Sequence, residues 1–426
     1  MKKPFAWDNN SDQPALLKDK EYKKMMRKKE FFSLVKTFFI ALFVLPLSLI
    51  TLSFVKRKKI NSQDFFSLGI DYQKEKQATL EMIEELEVST LLLRFKLWEM
   101  DKILELKSFL QDLQNKKIIL KILQDRENIE DKELLQKNLT IIFEELHGLI
   151  DIYEIGSTIN RSKWGFFSVD EYNNFYKIAF DLQQNKFQDI QLIGSGVIDF
   201  EYHFTAHTLF NLIKSKYDGI ASLLYVDRRG APENTQMGFA LLDKIAWLSS
   251  LVWLSPKTQN KLYITETNWP ISNTAPFAPT SETECVSEKL YADYMLRFYL
   301  LAFASQQVQS VSWHQLIASG YGLVDAREGL RKRSAFETYK FMLRNLKNTQ
   351  FLRLDIKREY YIFQCLEDNK LLQIHWSLKE TTLKNEEYFD AYTKEGKSIK
   401  DDMLTIGSSP IYLFITQSVP KKVNCL

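Results

Sequence analysis

The 426-residue sequence predicts an α/β chain: a (β/α)8 barrel, a small antiparallel β domain after it, and one N-terminal helix of membrane-spanning length. Three observations carry that prediction. An uncharged run, TFFIALFVLPLSLITLSFV at 37–55, sits between two basic clusters. From residue 65 to 314, eight short apolar runs alternate with amphipathic stretches. After residue 348 the texture changes to aromatic-rich runs broken by charged or Gly/Ser/Pro turns.

The apolar run comes first. At ~1.5 Å per residue it reaches roughly 28 Å as a helix, close to the thickness of a bilayer's hydrocarbon core. Pro46 inside it suits a membrane helix, where freed backbone groups find other partners. The run is too long for the apolar part of a cleaved signal peptide, and no small-residue cleavage site follows it; the remaining alternative is a buried core helix. Lys18, Lys20, Lys23, Lys24, Arg27, Lys28 and Lys29 precede it, and Lys56, Arg57, Lys58 and Lys59 follow it. The bias of positive charge toward the cytoplasm favours a single-pass helix in the inner (cytoplasmic) membrane with the body outside the cytoplasm. The second cluster leaves open that both ends are held inside, with the run as a hairpin or interfacial anchor. The lipid bilayer is therefore an expected partner. The implied divisions are a basic tail at 1–30, an anchor with basic flanks at 31–59, a barrel at 62–348, a β domain at 349–418 and a tail at 419–426.

The strand candidates are 65–72, 89–95, 117–123, 150–156, 189–196, 218–226, 261–266 and 308–314. Near-continuous apolar strands, each followed by a helix, indicate a parallel sheet covered on its outer side. Eight such units in this length match a closed barrel. An open doubly wound sheet would have fewer strands and a glycine-rich first turn. The runs FLRLDI, EYYIFQCLE, KLLQIHWSL, EYFDAYT and PIYLFI read as the strands of the β domain.

Composition excludes several classes. The net charge is +3, with the excess lysine and arginine near the N-terminus, which argues against a nucleic-acid partner. Three cysteines without CxxC spacing give neither a disulfide framework nor a zinc site, and the five histidines lack HExxH-like spacing. No GxxxxGK[ST] or GxGxxG is present. Neither a metal nor a cofactor is expected.

Chemistry in such a barrel sits at the C-terminal ends of the strands. In KLYITETNWP, Leu262, Ile264 and Glu266 share one strand face, and Glu266 lies where the strand ends, with Trp269 just beyond. A carboxylate there can attack an anomeric carbon or stabilise an oxocarbenium ion; the plainer alternative is a surface glutamate in a turn. Asp71, Arg94, Thr158, Asn160, Lys163, Trp164, Tyr225, Arg228, Trp269, Trp313 and His314 are the candidate ligand contacts. Carboxylates, arginines and tryptophans together suit a polyhydroxylated ligand, an oligo- or polysaccharide. The arginines of VDRRGAPEN suit an acidic sugar, or else bridge loops.

ITETNWP resembles the seventh-strand nucleophile motif of the retaining (β/α)8 glycoside hydrolases of clan A, and VSWHQL resembles the eighth strand. IGSSPIYLFI resembles the last strand of the β-sandwich that often follows. Family 39 is the nearest flavour, over roughly 66–415. The resemblance implies a glycosidase or transglycosidase with Glu266 as nucleophile and Trp313 as the floor of the sugar site. It departs at two places. The clan's fourth strand ends in Asn-Glu, the Glu being the acid/base; YEIGSTINRSKWG has Ser157-Thr158 there, and a threonine hydroxyl is no acid near neutral pH. On the sixth strand a histidine often precedes Tyr-Val, where this chain has Leu223 and Leu224 before Tyr225. Glu154 lies deeper in the barrel and is expected to pair with an inward cation such as Arg94. Glu201, in DFEYH, is the preferred substitute acid. Three functions stay open: a membrane-anchored glycosidase acting on an envelope or exported polysaccharide, a catalytically impaired glycan-binding barrel assisting surface polysaccharide assembly, and a barrel enzyme of unrelated chemistry.

Overall fold

The computed structural model describes residues 5–367, 370–386 and 389–415, Arg228 by its backbone alone; the tail expected at 419–426 lies outside them. Eight parallel strands close into a barrel in chain order: β1 (Phe66–Ile70), β2 (Thr90–Lys96), β3 (Lys117–Leu123), β4 (Ile152–Ile155), β5 (Gln191–Ile198), β6 (Gly219–Leu223), β7 (Leu262–Thr267) and β8 (Ser310–Trp313), which returns to β1. All eight fall within or beside the runs that predicted them. They are apolar on both faces because one face meets helices and the other fills the barrel. Inside, Leu92, Ile119, Ile152, Ile193, Ala221 and Tyr263 pack as a separate cluster.

Two residues further along β2, β3 and β4 the inward positions change character. Arg94, Lys121 and Glu154 stand in register across these neighbouring strands, one layer above the apolar plug, because side chains alternate with a period of two. The barrel thus carries a charged layer between its packed floor and its mouth.

Before the barrel come a two-strand ribbon, Trp7–Asp8 paired with Gln13–Pro14, then α1 (Lys20–Lys29) and α2 (Phe31–Ile50). Asp19 caps α1 by accepting from the Tyr22 amide at 2.8 Å. α2 and the turn after it, Phe31–Phe54, form one helix long and apolar enough to cross a membrane, with mean hydropathy 2.3. It lies along the outside of the barrel, packed on helices Tyr202–Leu209, Val169–Lys186 and Leu241–Leu254. Near its start Lys36 meets Asp170 at 2.8 Å, and the Thr37 hydroxyl meets His207 Nδ1 at 2.8 Å. Near its end Trp247 Nε1 donates to Ser48 Oγ and Ser250 Oγ donates to the Ser48 carbonyl, each at 2.7 Å. The chain then reaches the closed end of the barrel, where the Lys58 amide donates to the Gln306 carbonyl at 3.0 Å. The polarity of an ordinary surface helix is reversed: Ser33, Thr37 and Ser48 are buried, whereas Phe32, Phe38, Phe43 and Ile50 are exposed.

After the barrel, a six-stranded sheet built around Gln350–Lys357, Tyr360–Glu367, Lys370–Ser377 and Ile411–Ile415 packs on the outer helix Glu288–Ser305. Phe303 touches both Phe351 and Phe363 there. A buried polar joint reinforces it: Glu233 meets Arg297 at 3.2 Å and accepts from Trp376 Nε1 at 2.8 Å.

Candidate active site

Glu266 ends β7 inside the barrel mouth. Its Oε1 accepts from the Tyr225 hydroxyl at 2.6 Å, and its Oε2 lies 3.4 Å from Lys121 Nζ. Burial acts to raise its pKa, but Lys121 foremost, with Arg94 and the Tyr225 hydrogen bond, overcomes it and holds the carboxyl at about 2. Burial and the neighbouring carboxylate push the Tyr225 hydroxyl well above its usual range, so it remains a donor. The Arg229 guanidinium covers the Tyr225 ring at 3.6 Å.

Below lies a second carboxyl. Glu154 is fully buried, accepts from the Thr265 hydroxyl at 3.1 Å and shares Lys121, whose Nζ is 3.6 Å away. Burial raises its pKa to about 7, against the attraction of that lysine. The expected partner, Arg94, is not its partner: Lys121 is its neighbour in register on β3, while Arg94 turns up to the mouth and pairs with Asp12. The shared lysine keeps Glu266 ionised, while burial, outweighing that same lysine, leaves Glu154 protonated at mildly acidic pH.

The mouth cavity, about 200 Å³, is lined by Arg94, Thr158, Lys163, Trp164, Tyr225, Glu266 and His314. Those seven predicted residues come together. The lining also includes residues that sequence reasoning missed, among them Asp12 and Gln13 from the N-terminal ribbon, Asn268 and Tyr321. His314 stacks on Tyr321 with centroids 5.4 Å apart, and burial followed by the charge of Arg94 lowers its pKa to about 3, so it is neutral. A larger cavity, about 470 Å³, lies among Asp189, Lys216 and Lys261, which precede β5, β6 and β7. It is at the wrong end of the strands for barrel chemistry.

Other candidates lie elsewhere. Asn160 and Arg161 hold Glu201 at 2.7 and 2.8 Å, and Glu201 lines a neighbouring cavity that shares Tyr225 and Arg229 with the mouth. Asp71 borders a small recess beside Arg94 and Lys96. Trp269 and Trp313 are buried and stack on each other at 5.8 Å. Their indoles donate to the Arg229 and Gly230 carbonyls and to the Tyr291 hydroxyl. The expectation of Trp313 as the floor of the mouth is corrected: it packs behind the wall, because Tyr291 and Tyr299 of an outer helix claim its faces. The side chain of Arg228 lies outside what is described. No group of His, Cys, Asp or Glu suited to a metal ion occurs among the described residues.

The arrangement sets an ionised, hydrogen-bonded carboxylate against a wall of cations and one tryptophan. Such a carboxylate can attack, or stabilise, an electron-poor sugar carbon. Among the described residues lining this cavity the other carboxylate is Asp12, and the adjacent Arg94 holds it far below the usual carboxylate range despite burial, so it is no proton donor.

No family model matches the chain, and no curated protein matches it. Solved structures do. A family 39 glycoside hydrolase from the gut symbiont Bacteroides cellulosilyticus superposes with a TM-score of 0.64 at 12% identity, over 84% of this chain and 82% of that one. A family 39 β-xylosidase from Caulobacter crescentus gives 0.56 at 10% identity, over 85% and 98%. A family 30 endoxylanase from Clostridium papyrosolvens gives 0.56 at 8%, over 85% and 97%. With eight parallel strands closed into a barrel and a β domain behind them, the chain has the (β/α)8 fold of clan A glycoside hydrolases, near that of family 39.

Proposed function

We propose that this is a membrane-attached, glycoside-hydrolase-like protein of the cell envelope whose barrel mouth acts on an oligo- or polysaccharide, with Glu266 as the nucleophile. The observation that carries this reading is the setting of Glu266. A nucleophilic carboxylate must be ionised and oriented before substrate arrives, and Lys121 and Tyr225 do both. A second reading, a glycan-binding barrel that no longer cleaves, draws on Thr158 at the acid position and on Glu201 being engaged by Asn160 and Arg161.

Leaving-group chemistry separates the two. A 2,4-dinitrophenolate departs without protonation, so a nucleophile needs no acid partner on such substrates. Wild type is expected to release dinitrophenol from at least one member of a panel of 2,4-dinitrophenyl glycosides, and Glu266→Gln is expected to lose at least 100-fold of that rate. Binding of oligosaccharides by wild type with no release from any activated glycoside sinks the catalytic reading and leaves the binding one.

The attachment follows from α2. Its apolar face is exposed while its polar side is held against the barrel at both ends. Because the chain returns to the barrel before and after α2, the helix is best suited to lie in the membrane surface with the barrel's flank against the lipid, basic clusters at either end. The charge bias places the body outside the cytoplasm only for a helix that crosses; lying in the surface with basic clusters at both ends, α2 suits the anionic cytoplasmic leaflet of the inner membrane. A reporter fused after Leu426 that is active only outside the cytoplasm refutes the surface placement.

A further inference from the structure

The N-terminal ribbon lines one side of the mouth cavity that reaches Glu266, and its contacts have the chemistry of an acidic sugar chain. Asp12 places a buried carboxylate on Arg94, which also donates to the Asp12 carbonyl at 3.2 Å, and Lys74 stands 3.8 Å from the same carboxylate. Trp7 packs its ring tilted against Trp98 and edge-to-face with Trp164, with centroids 5.3 and 5.9 Å away, under Lys96 Nζ at 4.9 Å. Gln13 accepts from Lys163 Nζ at 2.6 Å. A ring on tryptophans, a carboxylate on an arginine and a polar group on a lysine are what a uronic-acid oligosaccharide presents.

The ribbon is held by side-chain contacts, which include Gln13 Nε2 donating to the Pro279 carbonyl at 3.1 Å and the Tyr321 hydroxyl donating to the Ser11 carbonyl at 3.4 Å, and not by a shared ladder. Its short ladder joins its own two strands, and among the described residues no backbone-to-backbone hydrogen bond ties it to the barrel. Asp12 is held at a φ of +50°, in the left-handed region, which costs a non-glycine residue on the order of 1 kcal/mol. The Trp7 indole nitrogen is buried without a partner. Withdrawal would relieve both and leave Arg94 short of its anion and Lys163 of its acceptor, while Lys74 keeps Asp71 at 3.4 Å. A carboxylate ligand repairs that loss and a neutral one does not.

We infer that Trp7–Pro14 is a built-in pseudo-ligand that occupies part of the mouth, and that the subsite it fills takes a carboxylate-bearing sugar when the ribbon withdraws. This rests on the glycan reading of the same cavity and names its ligand class and its regulation. α1 joins the ribbon to α2, the membrane-facing helix, so the ribbon's withdrawal is coupled in the chain to the part that meets lipid.

The test uses the full-length protein in detergent. Oligomers of galacturonate, mannuronate and glucuronate are titrated calorimetrically beside neutral oligomers of galactose, mannose and glucose. Wild type, Trp7→Ala/Asp12→Ala and the milder Asp12→Asn, which keeps the volume of the side chain, are compared. The double variant is expected to bind at least one acidic oligomer tenfold or more tighter than wild type, with Asp12→Asn gaining less and the neutral oligomers gaining little. Equal affinity for every acidic oligomer across the three proteins overturns the pseudo-ligand. An equal gain for neutral oligomers overturns the acidic subsite. Release of dinitrophenol by a wild type that fails this test localises the failure to the ribbon inference. Loss of both binding and release in all proteins refutes the glycan reading itself.

Discussion

Glu154→Gln is the substitution whose outcome most depends on the charged layer inside the barrel. Glu154 is fully buried, shares Lys121 with Glu266, and is held by burial at a pKa of about 7. Its folded pKa is therefore raised above the value of about 4.5 that an unfolded glutamate shows. Such a group contributes stability that is fully present below pH 4.5 and is lost as pH rises through about 7, because the unfolded chain releases the proton first. The raised pKa corresponds to about 3 kcal/mol at 1.36 kcal/mol per unit. A glutamine does not titrate, and its carboxamide can turn its oxygen to Lys121 and its nitrogen to the Thr265 hydroxyl. Relative to the variant, wild type is expected to lose about 3 kcal/mol between pH 4.5 and 8, so the variant gains on it as pH rises. Because m rises above the ~3 kcal/mol per molar urea of small proteins in a chain of 426 residues, this is a relative midpoint shift of roughly 0.5–1 M. Urea unfolding of both proteins at pH 4.5 and pH 8 measures it. A variant that loses ground at pH 8, as deletion of a stabilising buried ion pair would make it do, refutes the shared-lysine argument, and so does a constant difference.

Two further outcomes follow from the packing. Glu233→Ala leaves the Arg297 guanidinium buried and the Trp376 indole without its acceptor, and is expected to cost about 3 kcal/mol in urea unfolding, with Glu233→Gln, which keeps the Trp376 acceptor, costing less; a loss under 1 kcal/mol contradicts the joint. Phe39→Asp/Phe43→Asp places charges on the exposed face of α2 and is expected to shift the protein from the membrane pellet to the supernatant after carbonate washing, with the melting temperature nearly unchanged. Continued pelleting shows that another surface, or a spanning helix, holds the membrane.

The sequence by itself determined the eight barrel strands, the β domain and the apolar helix, because each is written in a local period or run. It also placed Glu266 at the mouth, since strand phase and the TNWP break are local signals. Arg94, Thr158, Lys163, Trp164, Tyr225 and His314 follow the same logic, as each ends or follows a strand. Lys121 had a signal that went unread: a lysine in the apolar run KIILKIL, inward like Ile119, needs an anion inside the barrel. The tertiary structure alone decided which anions. Lys121 meets Glu266 across 145 residues and Arg94 meets Asp12 across 82, and no periodicity encodes pairings at such separations. Trp269 and Trp313 look like site residues by position along their strands, yet closure of the barrel against its outer helices buries them. The polar contacts that seat α2 on the barrel, and the ribbon in its mouth, depend on surfaces that exist only once the barrel has closed.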